Sequence, residues 1–168
     1  RSGRPGPVLV DLPKNVMVME TEYVPENIKI RNYETVYKPA PKKMANIYEM
    51  LSSAEKPLFM TGGGTILSHA SEELTHLARK YSIPVTGTLM GLGSFPGSDP
   101  LWLGMLGMHG TYYANMAVSN CDLMIAVGVR FDDRVTGKIE TFAPNAKIVQ
   151  IDIDPSSISK RVKVDVPI

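Results

Sequence analysis

The segment LMIAVGVRFDDRVTG, residues 123–137, decides the fold. Residues 123–129 are apolar apart from one glycine, and two arginines then bracket two aspartates. This pattern predicts a buried parallel strand whose carboxyl end opens into a charged loop. Ligands bind at that end of the strands in open α/β sheets, and the planar fork of an arginine suits a phosphate. A salt-bridged surface turn explains the same residues equally well.

Strand and helix patterns alternate through most of the chain. Strands are predicted at 57–61, 83–88, 122–129 and 147–153, with the start of another at 164–168. Helices are predicted from Pro41, over 71–81, over 111–120 and briefly from Pro155, and 91–110 is predicted to be a long loop. The alternation predicts an α/β domain, with a Rossmann-like parallel sheet and helices on both faces.

The N-terminal part has a different pattern. Residues 8–12 predict a short strand, and residues 15–40 have the weak periodicity of a linker laid over a surface. A strand followed by a linker has no neighbour to pair with, so we expect residues 1–14 to supply the last strand of a preceding domain. Residues 41–168 would form the α/β domain, truncated at its C-terminal end. Because the chain does not begin with Met, we expect a piece of a longer polypeptide.

The composition excludes several classes of protein. Net charge is +1, from 18 basic and 17 acidic residues, so no electrostatic footprint for nucleic acid is present. No apolar run approaches the roughly 20 residues that a membrane-spanning helix needs. Cys121 is the single cysteine, which excludes an internal disulfide, and three histidines make a zinc site improbable. We therefore predict no metal site, no membrane contact and no nucleic-acid partner.

Three motifs are candidates for ligand contacts. Gly62, Gly63 and Gly64 follow a predicted strand, where glycines let a backbone approach a phosphate, although a plain strand-to-helix turn is equally compatible. Leu67 stands where the dinucleotide fingerprint has its third glycine, which disfavours a standard NAD site. Asp152 and Asp154 could accept hydrogen bonds from a ribose or cap the helix predicted from Pro155, and we assign the cap to Asp154. No complete catalytic set of side chains is found.

An ordered series of motifs closely resembles one enzyme family. The series is RPGPVLVDLPK (4–14), IPVT (83–86), GLG (91–93), LGMHG (106–110) and VGVRFDDRVTG (127–137). It resembles the large catalytic subunits of acetolactate synthase, also called acetohydroxyacid synthase. In that family the first and third of three α/β domains bind thiamine diphosphate and Mg²⁺, and the middle domain binds FAD. The resemblance identifies this chain with the middle domain.

The resemblance also implies roles for individual residues. The FAD contacts would be Arg4, Gly62, Gly63, Gly64, Thr88, Leu89, Leu106, Gly107, Met108, His109, Gly128, Val129, Arg130, Asp132, Val135, Asp152, Ile153 and Ser157. An inhibitor pocket would be lined by Lys14, Met108, Asp133 and Arg134. The glutamate that activates thiamine diphosphate belongs to the first domain, so no catalytic residue is expected here.

The resemblance further implies the activity of the whole protein. That protein would decarboxylate pyruvate and condense the product with pyruvate or 2-oxobutanoate, the first shared step of branched-chain amino acid synthesis. It would form a homodimer or homotetramer with a small regulatory subunit, in a bacterial cytoplasm or an organelle. Two alternatives stay open: another thiamine-diphosphate enzyme such as pyruvate oxidase, and a non-catalytic nucleotide-binding or assembly module.

Overall fold

Six short strands form the centre of the molecule. The structure is a computed structural model that describes residues 4, 6–22 and 38–168. The strands are β1 (Pro57–Thr61), β2 (Val85–Gly87), β3 (Trp102–Met105), β4 (Leu123–Val127), β5 (Lys147–Ile151) and β6 (Val166–Pro167). All neighbouring pairs are parallel, in the order β3-β2-β1-β4-β5-β6. The predicted parallel α/β sheet is therefore confirmed.

Helices connect the strands. They are α1 (Lys14–Met17), α2 (Pro41–Ser53), α3 (Gly63–Leu67), α4 (Ser71–Tyr81), α5 (Tyr112–Asn120) and α6 (Asp133–Thr136), with 3₁₀ turns at Leu89–Gly91 and Ile139–Thr141. Pro41 occupies the first position of α2, where its missing N–H costs nothing. Thr111 caps α5 by accepting a hydrogen bond from the Ala114 amide at 3.1 Å.

Two apolar layers cover the two faces of the sheet. Along β4, Met124 and Ala126 point into one layer, while Leu123 and Ile125 point into the other. The first layer is closed by α5 and the second by α2 and α4. This alternation follows from the period of two in a strand, and it explains why β1 and β4 read as continuous apolar runs. Helices therefore lie on both faces, as predicted.

Several predicted elements differ in the structure. The predicted strand at 83–88 shrinks to β2, and that at 164–168 shrinks to β6. The predicted loop at 91–110 contains β3, an edge strand whose pairing with β2 is irregular because Gly104 adopts a φ of +91°. The chain after Pro155 forms a turn in place of the predicted helix. In α2, Ile47 and Met50 face the core, whereas Met44 and Tyr48 are exposed.

The N-terminal segment lies outside the sheet. Residues 8–12 are extended and largely exposed, with 93% of Leu9 accessible, and form no strand pairing among the described residues. Residues 8–12 therefore form no strand with the described part of the chain. Their assignment to the last strand of a preceding domain stays a prediction. The short helix α1 falls where a linker is predicted at 15–40, and residues 23–37 of that linker lie outside the described residues.

Replacing Gly64 by Ala tests the close packing at the end of β1. A Cβ at Gly64 would lie 2.6 Å from the Gly128 Cα, an atom that no rotamer change can move. G64A should therefore lower the free energy of unfolding by about 2 kcal/mol or more, although Ala favours a helix by about 1 kcal/mol. Gly97 is the control, because a Cβ there meets nothing within 4 Å. Urea denaturation should show G97A within about 0.5 kcal/mol of wild type; equal losses in both variants would contradict the steric explanation.

Candidate functional site

The centre of the sheet has a topological switch point. The strand order runs outward from β1 through β2 to β3 on one side, and from β4 through β5 to β6 on the other. The loops after β1 and β4 therefore depart in opposite directions and leave a crevice outside the carboxyl ends of the strands. Most predicted site residues follow β1, β2, β4 or β5, so the fold brings them to this one edge.

Glycines bring two backbones into contact at the floor of this crevice. The Gly62 amide donates to the Val127 carbonyl at 3.0 Å, and the Gly64 amide donates to the Gly128 carbonyl at 3.2 Å. A Cβ at Gly62 would lie 2.3 Å from the Gly128 oxygen, and Gly128 itself has a φ of +62°. Gly62, Gly64 and Gly128 are therefore required for strand-to-helix packing. A Cβ at Gly63 would instead face Met90, at 3.2 Å.

Three buried hydroxyl groups support the same floor. The Thr61 Oγ1 lies 2.9 Å from the Thr65 Oγ1 and 2.8 Å from the Ser94 Oγ. Thr65 donates to the Val127 carbonyl at 2.9 Å, and Ser94 donates to the Gly91 carbonyl at 2.6 Å. All three side chains are fully buried. The cluster ties the ends of β1 and β4 to the loop after β2 and satisfies polar groups whose burial would otherwise be costly.

The segment after β4, residues 128–132 and here named the β4 loop, offers hydrogen-bond donors. The backbone amides of residues 129–132 donate to no other group in the described part of the chain. Arg130 is exposed beside them, while Val129 and Phe131 are buried and anchor the loop. Phe131 has a φ of +54° and packs edge-on against Phe142. Successive amides beside an arginine can bind an anion such as a pyrophosphate.

The segment after β5, residues 152–159 and here named the β5 loop, carries the acidic groups. Asp152 is half-buried, and burial is the main cause that raises the pKa of its carboxyl group above the ordinary value. The charge of Arg4 opposes that shift, and the Arg4 Nη1 lies 4.0 Å from the Asp154 Oδ2. The structure therefore brings Arg4 to the end of β5, although the two residues are far apart in sequence.

Asp154 caps a turn, because the helix that it was predicted to cap at Pro155 does not form. Its Oδ1 accepts hydrogen bonds from the Ser156 amide at 3.0 Å and the Ser156 hydroxyl at 2.6 Å, and its Oδ2 accepts one from the Ser157 hydroxyl at 2.9 Å. The Ser156 hydroxyl is the largest of the causes that lower the pKa of Asp154. Ser157 is buried with its hydroxyl directed at Asp154, while Ile153 is exposed.

The carboxyl group of Asp132, in the β4 loop, has a lowered pKa. The hydrogen bond with Asp133 is the first cause that lowers the pKa of Asp132, and the charges of Arg161 and Arg130 add to it. The charge of Arg130 also acts to lower the pKa of Asp152, against the larger effect of burial. Asp132 caps the short helix α6 through the Arg134 amide.

The segment after β3 runs beside α6. Leu106 is buried, and Gly107, with a φ of +97°, is held by Asn115, which accepts from its amide at 2.9 Å and donates to its carbonyl at 3.1 Å. The Met108 amide donates to the Arg134 carbonyl at 3.2 Å. The side chains of Met108 and His109 are exposed. This segment therefore presents two exposed side chains on a fixed backbone.

Three of the four residues predicted for an inhibitor pocket share one cavity. Met108, Asp133 and Arg134 line a cavity of about 400 Å³ between α5 and α6, and Val135 contributes to its wall. Lys14, at the start of α1, does not line it. A larger groove of about 1020 Å³ lies between α4 and residues 93–97 and contains none of the predicted site residues.

The loop after β2 forms the opposite wall of the crevice. The Thr88 amide donates to the Thr61 carbonyl at 2.9 Å, which fixes this loop beside β1. Leu89 and Met90 are exposed, and Met90 lies against Gly63. An apolar surface is therefore available at this wall, opposite the charged loops after β4 and β5.

Sequence reasoning missed three residues that hold the site together. Gln150 is fully buried and bonds both the β4 and the β5 loop, Asn115 clamps Gly107, and Thr65 bonds the end of β4. A glutamine inside the apolar run of β5 is a detectable signal, since a buried amide needs partners. Asn115 and Thr65 have no comparable signal in the sequence.

The described residues contain no group of three or more His, Cys, Asp or Glu side chains that could hold a metal ion. No helix in the described ranges is long and apolar enough to cross a bilayer. His69 and His76 are exposed.

The sequence matches a known protein family. The family described as "Thiamine pyrophosphate enzyme, central domain" matches residues 44–168. The chain belongs to this family, which confirms the predicted fold and the predicted class of enzyme.

Curated relatives refine this result. The chain is 49% identical to the acetolactate synthase large subunit of Parasynechococcus marenigrum (strain WH8102), over 99% of the chain and 28% of the relative. It is 48% identical to that of Buchnera aphidicola subsp. Schizaphis graminum, over 99% and 30%. It is 48% identical to a probable acetolactate synthase large subunit of Methanocaldococcus jannaschii, over 99% and 29%. The predicted resemblance is confirmed, and the chain spans about three tenths of the length of these relatives.

Asp152 and Asp154 should respond to pH in opposite directions. The folded-state pKa of Asp152 is raised, so its charge destabilises the fold above that pKa and the cost disappears as pH falls through it. D152N should therefore increase the free energy of unfolding near pH 7. The folded-state pKa of Asp154 is lowered, so its contribution is present at neutral pH and is lost in acid. In D154N an amide nitrogen replaces Oδ2 and cannot accept from the Ser157 hydroxyl, so the variant should lower the free energy of unfolding near pH 7 by about 0.5–1.5 kcal/mol, the worth of one hydrogen bond.

Urea denaturation of both variants between pH 3 and pH 8 checks these signs. The D152N difference should disappear as pH falls through the raised pKa of Asp152, whereas the D154N difference should begin to shrink only at the acidic end of the range, as pH falls toward the lowered pKa of Asp154. Shifts of equal sign in the two variants would contradict the assignment of burial to Asp152 and of capping to Asp154.

Proposed function

We propose that this chain is the FAD-binding central domain of an acetolactate synthase large subunit. Identity of 45–49% to proteins of that name, over nearly the whole chain, supports the enzyme assignment. The observation that carries the binding role is the β4 loop, where four amides without a described partner lie beside Arg130. A dinucleotide pyrophosphate matches these donors, since it is an anion that amides and an arginine fork recognise.

The crevice offers a place for each part of FAD. Gly128, Val129, Arg130, Asp132 and Val135 would hold the pyrophosphate and the ribityl chain. Asp152, Ile153, Ser157 and Arg4 would border the adenosine, together with Gly62, Gly63 and Gly64. The Ser157 hydroxyl donates to Asp154, and through this hydrogen bond Ser157 would fix the β5 loop.

The flavin would lie along the opposite wall. Thr88 and Leu89 follow β2, and Leu106, Gly107, Met108 and His109 follow β3, which is the next strand of the sheet. Exposed apolar side chains suit the face of a flavin ring, and the clamp of Asn115 on Gly107 would keep this wall in place. The flavin has no net redox role in this proposal and supports the architecture of the site.

The complete enzyme would act on 2-oxo acids. It would release CO₂ from pyruvate and join the remaining two-carbon unit to pyruvate or 2-oxobutanoate. Thiamine diphosphate and Mg²⁺, held by other domains of the same subunit, would supply that chemistry. The chain's own contribution is binding and positioning, and its first residues would supply a strand to a preceding domain. We also propose a homodimer or homotetramer with a small regulatory subunit, since the relatives are named large subunits.

The cavity beside α6 would serve as part of an inhibitor site. Met108, Asp133 and Arg134 line it together, which combines an apolar surface, a carboxylate and a guanidinium. Lys14 begins α1 in the N-terminal segment, and α1 has no buried residue. Lys14 would therefore have to reach such a site from that segment.

Loss of the Arg130 guanidinium should weaken FAD binding selectively. Arg130 is exposed, so R130A should leave folding unchanged and raise the Kd for FAD at least about tenfold, the worth of one charge-assisted hydrogen bond. Lys80 is the matched control, an exposed cation on α4, and K80A should leave the Kd within about twofold. Equilibrium dialysis of the full-length protein measures both; equal effects in the two variants would point to nonspecific charge attraction.

The nucleotide and the reaction can be identified in the same preparation. Mass spectrometry of the released nucleotide should give FAD, and pyruvate with thiamine diphosphate and Mg²⁺ should give acetolactate while the flavin stays oxidised. Reduction of the flavin by pyruvate would favour an enzyme such as pyruvate oxidase. Release of ADP, or of nothing, would favour a non-catalytic module.

A further inference from the structure

Gln150 lies beneath both charged walls of the crevice. It belongs to β5, its side chain is fully buried, and it lies between the β4 loop and the β5 loop. Its Nε2 donates to the Val129 carbonyl at 2.8 Å and to the Ser157 carbonyl at 3.3 Å. Its Oε1 accepts from the Ser159 amide at 3.1 Å. One carboxamide therefore holds both loops.

The bond to Val129 orients the amide of the next residue. The carbonyl of Val129 and the N–H of Arg130 belong to one peptide unit, and in a planar trans peptide these two groups point in opposite directions. Because Gln150 holds the carbonyl toward the core, the Arg130 N–H must point away from the core, toward the crevice. This agrees with the finding that the Arg130 amide donates to no other group in the described part of the chain.

The neighbouring side chains do not account for an amide at this position. Val129, Ile148 and Val162 belong to the apolar layer on this face of the sheet. An apolar side chain of similar size would fill the position without the cost of burying a carboxamide. The groups that need Gln150 are the carbonyls of Val129 and Ser157 and the amide of Ser159.

We propose that Gln150 is a positioning residue of the nucleotide site, which fixes the β4 loop with the Arg130 amide outward and fixes the β5 loop at a constant distance from it. The inference rests on the proposed function, since the nucleotide would bridge these two loops. Gln150 contacts no ligand itself. It acts by removing the freedom of two loops before binding, which lowers the entropic cost of binding.

The test compares two buried residues of the same strand in the full-length protein. Gln150→Met keeps the length of the side chain and removes all three hydrogen bonds. Val149→Ala is the control, because Val149 is equally buried but faces the opposite layer. At a temperature where thermal melts show all proteins folded, Q150M should raise the Kd for FAD at least tenfold, and V149A should leave it within twofold. A Kd for Q150M within twofold of wild type, or an equal loss in V149A, would overturn the proposal.

A second variant separates the two loops. Gln150→Glu keeps an acceptor for the Ser159 amide, and at a pH high enough to ionise its carboxyl group it has no hydrogen to donate to the Val129 or Ser157 carbonyl. It should weaken FAD binding as Q150M does while the Ser159 amide stays protected. If Q150M does not fold, the proposal is tested in the same way by comparing the Kd for FAD of Q150E with that of V149A.

Hydrogen exchange without FAD distinguishes failure of this inference from failure of the proposed function. In Q150M the Ser159 amide should exchange at least tenfold faster than in wild type, and in V149A at an unchanged rate relative to the rest of β5. Unchanged exchange of the β5 loop in Q150M would overturn the positioning role. Wild-type protein that binds no FAD would instead overturn the proposed function.

Discussion

The contact between the Gly62–Gly64 backbone and Gly128 sets the geometry of the whole ligand edge. Two main chains that leave neighbouring parallel strands approach so closely that no Cβ fits at any of the three glycines. The amides of Gly62 and Gly64 are used in this contact, which gives the turn after β1 a structural role. The donors that remain for a ligand therefore lie one strand further on, in the β4 loop. The site is thus asymmetric about the switch point, with charged walls on one side and an apolar wall on the other.

Buried polar groups convert this contact into a rigid frame. The Thr61, Thr65 and Ser94 hydroxyls join the loop after β2 to β1 and β4, and Gln150 joins the loops after β4 and β5. No ionisable side chain takes part in either set of bonds, so the frame does not change with pH. The titratable groups Asp152 and Asp154 lie at its outer rim.

The sequence predicted the central strands and the long helices because their signals are strong and repeated. β1, β4 and β5 are apolar runs bounded by turn residues, and α4 has a clear amphipathic period. β3 was missed because it is a short edge strand distorted at Gly104. The role of Gly62 and Gly64 could not be decided from the sequence, because a sequence does not show which backbone approaches a glycine. Asn115 and Thr65 were missed because their partners are main-chain groups, which no residue type in the sequence marks, whereas Gln150 interrupts an apolar strand and could have been suspected.

The extended segment before α1 has a consequence for handling the chain in solution. Val8, Leu9 and Val10 expose most of their surface next to one another, a composition that invites intermolecular β-pairing and aggregation. Pro7 and Pro13 bracket the segment and cannot donate to a growing ladder, and Asp11 places a charge inside it. Because these three residues flank or interrupt the apolar run, we expect them to limit intermolecular pairing to the length of one short strand.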